Sequence, residues 1–159
     1  MFLIRELPDK KTIKKTAETS PETDATSVLA ILSVLKASSD VMVLTEKFFS
    51  QRDLSHSRFT AISILIKHTD GMYPNELADE MGVSRATAST ILKGLEVSGM
   101  VTVMKAEKDG RMKKIALTDN GRDVYEKLLP EYYALLSSCA GKQDKKELKS
   151  LPDIMADLS

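Results

Sequence analysis

Apolar positions along the chain recur in two rhythms, and their order predicts the architecture. From Asp24 to about Phe49, the residues Val28, Ile31, Leu32, Leu35, Met42 and Phe49 fall at helical spacing. Leu29, Val34, Val41, Val43 and Leu44 widen that surface beyond one stripe. A surface helix needs one apolar face only, so this helix is expected to be covered on more than one side. Phe59, Ile62, Leu65 and Ile66 predict a second helix, packed beneath the next two. Leu77, Ala78 and Met81 mark a short third helix. Pro74 suits its first position, where a missing N–H costs nothing, and Gly82 suits the left-handed residue that stops it. Ser84 is a natural N-cap for a fourth helix, with Ala88, Ile91, Leu92 and Leu95 as its buried stripe and Gly99 at its end.

The rhythm then changes. Val101 and Val103 alternate with Thr102 and Met104, and Ile115 and Leu117 alternate with Lys114 and Ala116. Alternation on both sides of a polar loop predicts a hairpin, and Asp109-Gly110 is a tight-turn dipeptide because both residues tolerate positive φ. Helical spacing returns with Val124, Leu128, Leu129, Tyr132, Leu135 and Leu136 around Pro130, which predicts a kink. A last amphipathic segment holds Leu148, Leu151, Ile154, Met155 and Leu158. Residues 9–25 are polar and charged, which predicts an arm or linker. The fold class is therefore mainly α with a small β-hairpin: a winged helix-turn-helix flanked by N- and C-terminal helices.

The fourth helix turns Arg85, Ala86, Thr87, Ser89, Thr90 and Lys93 away from its buried stripe. Short side chains let a helix backbone sink into a major groove about 12 Å wide, where Thr and Ala meet thymine methyls, Ser and Thr bond base edges or phosphates, and Arg pairs with guanine. A merely solvated face favours Glu, Lys and Gln instead. Around the hairpin loop, Lys105, Lys108, Arg111, Lys113 and Lys114 face only Glu107 and Asp109 in charge, which suits phosphate. A charged edge that only blocks strand pairing is the plainer reading of the same residues, and Asp109 is expected to serve the turn.

Composition narrows the chemistry. The formal net charge over 159 residues is zero, so any nucleic-acid affinity must be local. From Asn75 to Gly99 the acids Glu76, Asp79, Glu80 and Glu96 outnumber Arg85 and Lys93, so the expected contacts rest on a few cations. One cysteine, Cys139, excludes an intramolecular disulfide, and its apolar helical setting does not suggest a sensor thiol. No run is expected to be long enough to span a membrane, MFLI is no convincing signal peptide, and a reducing cytoplasm fits. His56 and His68 are isolated, and no paired-cysteine, metal-ligand or glycine-rich phosphate pattern occurs, so no catalytic residue, metal or cofactor is expected. Met42, Met72, Met81, Met100 and Met104 are expected to fill gaps in the core.

The segments NELADEMGVSRATASTILKGLEVSGMV, KDGR and ALTDNGRDVY, with LTEKFFSQRDLSHSRFTAISIL upstream and LLPEYYALL downstream, resemble the MarR family of bacterial transcription regulators. The resemblance covers roughly residues 24–140. It implies a homodimer that binds a palindromic operator, with release by a small-molecule effector in many members. It divides the chain into an arm or linker at 1–23, a dimerisation helix at 24–52, a winged helix-turn-helix at 53–118 and dimerisation helices at 119–159. It implies a recognition helix with Ser84, Arg85, Ala86, Thr87, Ser89, Thr90 and Lys93 on DNA, and a wing with Lys108, Asp109, Arg111 and Lys113. The family's wing often reads Asp-Arg-Arg. Here Gly110 stands in place of the first arginine, leaving Arg111 to enter the minor groove with Asp109 fixing it. The expected function is a DNA-binding regulator, a repressor, with double-stranded DNA and a second copy as partners and no membrane. The alternative is a winged-helix module that docks protein, since fold alone does not decide.

Overall fold

A computed structural model describes residues 6–20, 22–105, 113–141 and 144–156. Its elements run α1 (Lys10–Thr19), α2 (Ala25–Ser50), α3 (His56–Leu65), α4 (Pro74–Glu80), α5 (Arg85–Val97), β1 (Val101–Lys105), β2 (Lys113–Leu117), α6 (Asp119–Cys139) and α7 (Lys145–Ala156). The chain forms two compact units, Met1–Lys47 and Phe48–Ser159.

The first unit holds α1 and most of α2. The polar stretch read as an arm or linker contains a helix because local signals suffice to start one. The Asp9 carboxylate accepts from the Thr12 hydroxyl at 2.6 Å and from its N–H at 2.9 Å, and Ile13 supplies a buried anchor. Asp24 opens α2 in the same way, accepting from the Ser27 hydroxyl at 2.6 Å and its N–H at 2.7 Å. These bonds favour the charged carboxylates, side-chain hydroxyl first, and hold both below the usual aspartate range.

The expectation that no run could span a membrane is corrected by α2, which is long and apolar enough by length and composition. Its interspersed Ser, Thr and Ala residues disguise the length of the run. Lys36 and Asp40, paired at 2.6 Å near mid-helix, are a costly insertion into hydrocarbon. Ile31, Leu35, Val43 and Leu44 remain 39–51% exposed, so among the described residues of the first unit the broad apolar surface seen in the sequence is not covered.

In the second unit the last turn of α2 supplies Phe49, which is fully buried and stacks on Phe59 of α3 at 4.6 Å. Tyr125 and Tyr132 of α6 close on the same pair at 5.4 and 5.1 Å. Burying an aromatic side chain contributes about 1.5–3 kcal/mol, so these rings anchor α3 under the winged region. Burial also pushes the Tyr132 phenol above the ordinary tyrosine range, with a smaller push from Tyr133. Arg52 ties the end of α2 to α6 through Glu131 at 2.8 Å and lies 3.8 Å over the Phe48 ring. Helix α6 runs through Pro130 without ending.

β1 and β2 pair antiparallel from Val101↔Leu117 to Lys105↔Lys113. Ala116 is buried, against the expected alternation, because Gly71 and Met72 line the outer edge of β2. Met72 exchanges both backbone hydrogen bonds with Ile115, at 3.0 and 2.8 Å. Val101 is buried whereas Val103 is 38% exposed and Met104 43%, as the hairpin leaves the body of the unit. Met104 is therefore not a core residue. Met72 is buried, and Met81 and Met100 pack at the core's edge.

Candidate nucleic-acid interface

Short-range bonds set the angle between α4 and α5. Pro74 takes the first position of α4, and the Glu76 carboxylate accepts the Tyr73 N–H at 2.8 Å. At the other end Gly82 adopts φ +63°, and the Val83 N–H reaches back to the Ala78 carbonyl at 3.0 Å. Ala78 is fully packed and Val83 is half-buried at the corner. His68, after α3, pairs with Glu80 of α4 at 3.3 Å.

Ser84 then caps α5, accepting the Thr87 N–H at 3.2 Å, and its hydroxyl also bonds the Thr87 hydroxyl at 2.8 Å. Ser84 is thus committed first to the helix start. Ala88, Ile91, Leu92 and Leu95 are buried, as their spacing predicts. Arg85, Ala86, Thr87, Ser89, Thr90 and Lys93 are all exposed and form one outward surface. Thr90 donates to the Ala86 carbonyl at 3.1 Å and stays exposed. Beside this surface lies a cleft of about 330 Å³, bounded by Pro74, Ser89, Leu92, Lys93, Val101 and Ile115.

The wing is only partly in view. Lys113 is exposed at the start of β2, while Lys108, Asp109 and Arg111 lie outside the described residues. Lys114 turns away from the role of a wing cation. Its ammonium lies 3.4 Å from the Asp70 carbonyl oxygen and 5.5 Å from the centre of the Tyr73 ring. The strand register sets Lys105 opposite Lys113 at the base of the wing.

Behind the hairpin, Thr118 joins three elements. Its hydroxyl donates to the Gly99 carbonyl at 2.7 Å and accepts the Gly121 N–H at 3.1 Å. Its own N–H donates to the Met100 carbonyl at 3.0 Å. A side chain on Gly121 would meet that same Met100 oxygen, so only glycine fits without a shift. The Leu117-Thr118-Asp119-Asn120-Gly121 run is therefore the joint that sets α6 against the end of α5.

The histidines make no metal constellation. His56 lies in the aromatic cluster, 3.5 Å from the Tyr132 hydroxyl, and among the described residues no group of three His, Cys, Asp or Glu is arranged to hold a metal. Cys139 is exposed at the end of α6, with its thiol on the Leu135 carbonyl at 3.4 Å.

The sequence profile of the MarR family matches residues 52–112, which span α3 to the wing. Over 156 residues the chain is 30% identical to the HTH-type transcriptional repressor YetL of Bacillus subtilis, covering 98% of this chain and 93% of that one. The fold matches AbsC, a MarR family regulator from Streptomyces coelicolor, with a TM-score of 0.76 at 19% identity, covering 86% of this chain and 93% of AbsC. A second MarR family regulator from Streptomyces coelicolor, solved in complex with DNA, matches with a TM-score of 0.75 at 22% identity, covering 86% of this chain and 87% of that one.

Proposed function

The chain belongs to the MarR family, and on that premise we propose that it is a homodimeric transcription repressor that binds a palindromic operator. The observation that carries this reading is the exposed surface of α5, where short polar side chains lie between two cations on a helix held by caps at its start and a buried stripe along its length. Arg85 and Lys93 sit at its ends for guanine or phosphate, and Ala86, Thr87, Ser89 and Thr90 form the close-approach centre. Lys108, Arg111 and Lys113 supply the wing's charge to the flanking backbone, with Arg111 in the minor groove and Asp109 bracing it.

The exposed apolar residues of α2 in the first unit, and separately Leu151 and Ile154 of α7 in the second, are what a second copy would cover. A two-fold dimer sets two recognition helices one helical turn of DNA apart, which makes the operator palindromic. A small-molecule effector would act by favouring a lobe spacing that cannot span successive major grooves, which requires different affinity for the two spacings.

Thr87→Glu places a bulky carboxylate in the groove and is expected to abolish operator selection while the dimer stays intact. Arg111→Ala is expected to weaken binding and flatten its salt dependence. A Thr87→Glu dimer that still selects its operator would show that this face does not enter the groove.

A further inference from the structure

Gly94 lies in the interior of α5, where glycine is less favourable than alanine by about 0.5–1 kcal/mol. Its backbone has no positive φ to explain it. The explanation lies on α3. A Cβ built on Gly94 would run into one guanidinium nitrogen of Arg58 and sit 2.7 Å from the carbon of that group. The guanidinium thus lies in the space a side chain at Gly94 would occupy.

Arg58 is half-buried, and its guanidinium has no ion pair among the described residues. An arginine held in one place without a carboxylate has its full charge and donor fork available. Its position relative to the proposed groove surface follows from helix geometry. Gly94 is four residues after Thr90 and seven after Thr87, so the three share one flank of α5. Arg58 therefore borders the outward surface on the Thr87–Thr90 side, while the cleft containing Ser89 and Lys93 borders the other.

We infer that Arg58 is a DNA-backbone contact, seated against the recognition helix by Gly94, and that it grips a phosphate flanking the groove that α5 enters. The inference rests on the DNA-binding reading and extends it to a residue outside the helix-turn-helix. It accounts for both unusual features at once: an arginine without an ion pair, and a glycine inside a helix that must be rigid. A phosphate contact carries no sequence information, so Arg58 adds affinity and register rather than choice of base.

The test is fluorescence anisotropy at several salt concentrations, on an operator duplex and a scrambled duplex, with Arg58→Gln, Arg58→Lys, Gly94→Ala and the Arg58→Gln/Gly94→Ala double variant. Arg58→Gln is expected to lower affinity about tenfold on both duplexes alike. The slope of log affinity against log salt should lessen by roughly 1.8 for a dimer, about 0.9 per lost contact. Arg58→Lys keeps the charge and should keep most of the slope. Gly94→Ala should reproduce the Arg58→Gln defect by displacing the guanidinium, and should add nothing in the double variant. Arg58→Gln with a wild-type slope would overturn the inference, as would independent, additive losses from the two sites. A wild-type protein that binds neither duplex would instead remove the DNA reading itself, which keeps the two failures apart.

Discussion

Gly121→Ala tests whether the joint behind the hairpin is as tight as its geometry requires. The new methyl carbon would run into the Met100 carbonyl oxygen and lie 2.8 Å from a Leu117 methyl. A carbon rests roughly 3.5 Å from a neighbouring heavy atom, so α6 must retreat by about 1 Å or the carbonyl must turn away. Turning it breaks the Thr118 N–H bond that it accepts at 3.0 Å. Overpacking of this kind costs about 1–3 kcal/mol, and the broken bond about 1 kcal/mol. Alanine's advantage over glycine in a helix returns about 0.5–1 kcal/mol. The net expectation is a loss of about 2 kcal/mol, or roughly 4–8 °C in Tm for a chain of this size. Urea denaturation at fixed protein concentration measures it, with an unchanged m-value as the sign that only stability moved. Gly82→Ala is the control: nothing lies within 4 Å of its added Cβ, so only its φ of +63° penalises the change, by roughly 1–2 kcal/mol. A Gly121→Ala variant as stable as wild type would refute the reasoning, because it would mean that the backbone yields at no cost.

Three further outcomes rest on the same geometry. Ser84→Ala removes the cap of α5 and should cost about 1 kcal/mol in urea denaturation. Leu35→Lys puts a charge in the uncovered face of α2 and should shift the protein toward monomer in analytical ultracentrifugation. Asp9 and Asp24 have folded pKa values below their unfolded ones. Their caps therefore contribute fully above the ordinary aspartate pKa and fade as pH falls through the depressed values, so helicity by circular dichroism should drop in that acid range. Asp24→Asn, whose amide oxygen can cap at any pH, should flatten part of that drop.

Local signals make the helix-turn-helix legible. Pro74, Gly82, Ser84 and Gly99 each act within one turn of themselves, and the stripe of α5 follows from its period alone. The proposed groove surface is readable for the same reason, since a residue's face follows from its number. Non-local pairing is not readable. The Met72–Ile115 bridge uses backbone groups that leave no side-chain pattern, and it buries Ala116 where alternation places it outside. Lys114 counts as a wing cation by position, yet it packs toward Asp70 and Tyr73, which are distant in sequence. Arg58 and Gly94 are 36 positions apart, and their contact appears only when α3 lies on α5. Helix α1 is hidden by its polar composition, because one capping aspartate and one buried isoleucine support it.

The central claim is that this chain reads a specific operator through α5 and the wing. The most direct measurement is fluorescence anisotropy of the verified folded dimer on the DNA upstream of its own gene, with a scrambled duplex, at two salt concentrations. The account predicts preferential binding to the upstream DNA that weakens steeply as salt rises. A folded dimer that binds neither duplex at low salt would contradict it and leave a winged helix that docks protein instead.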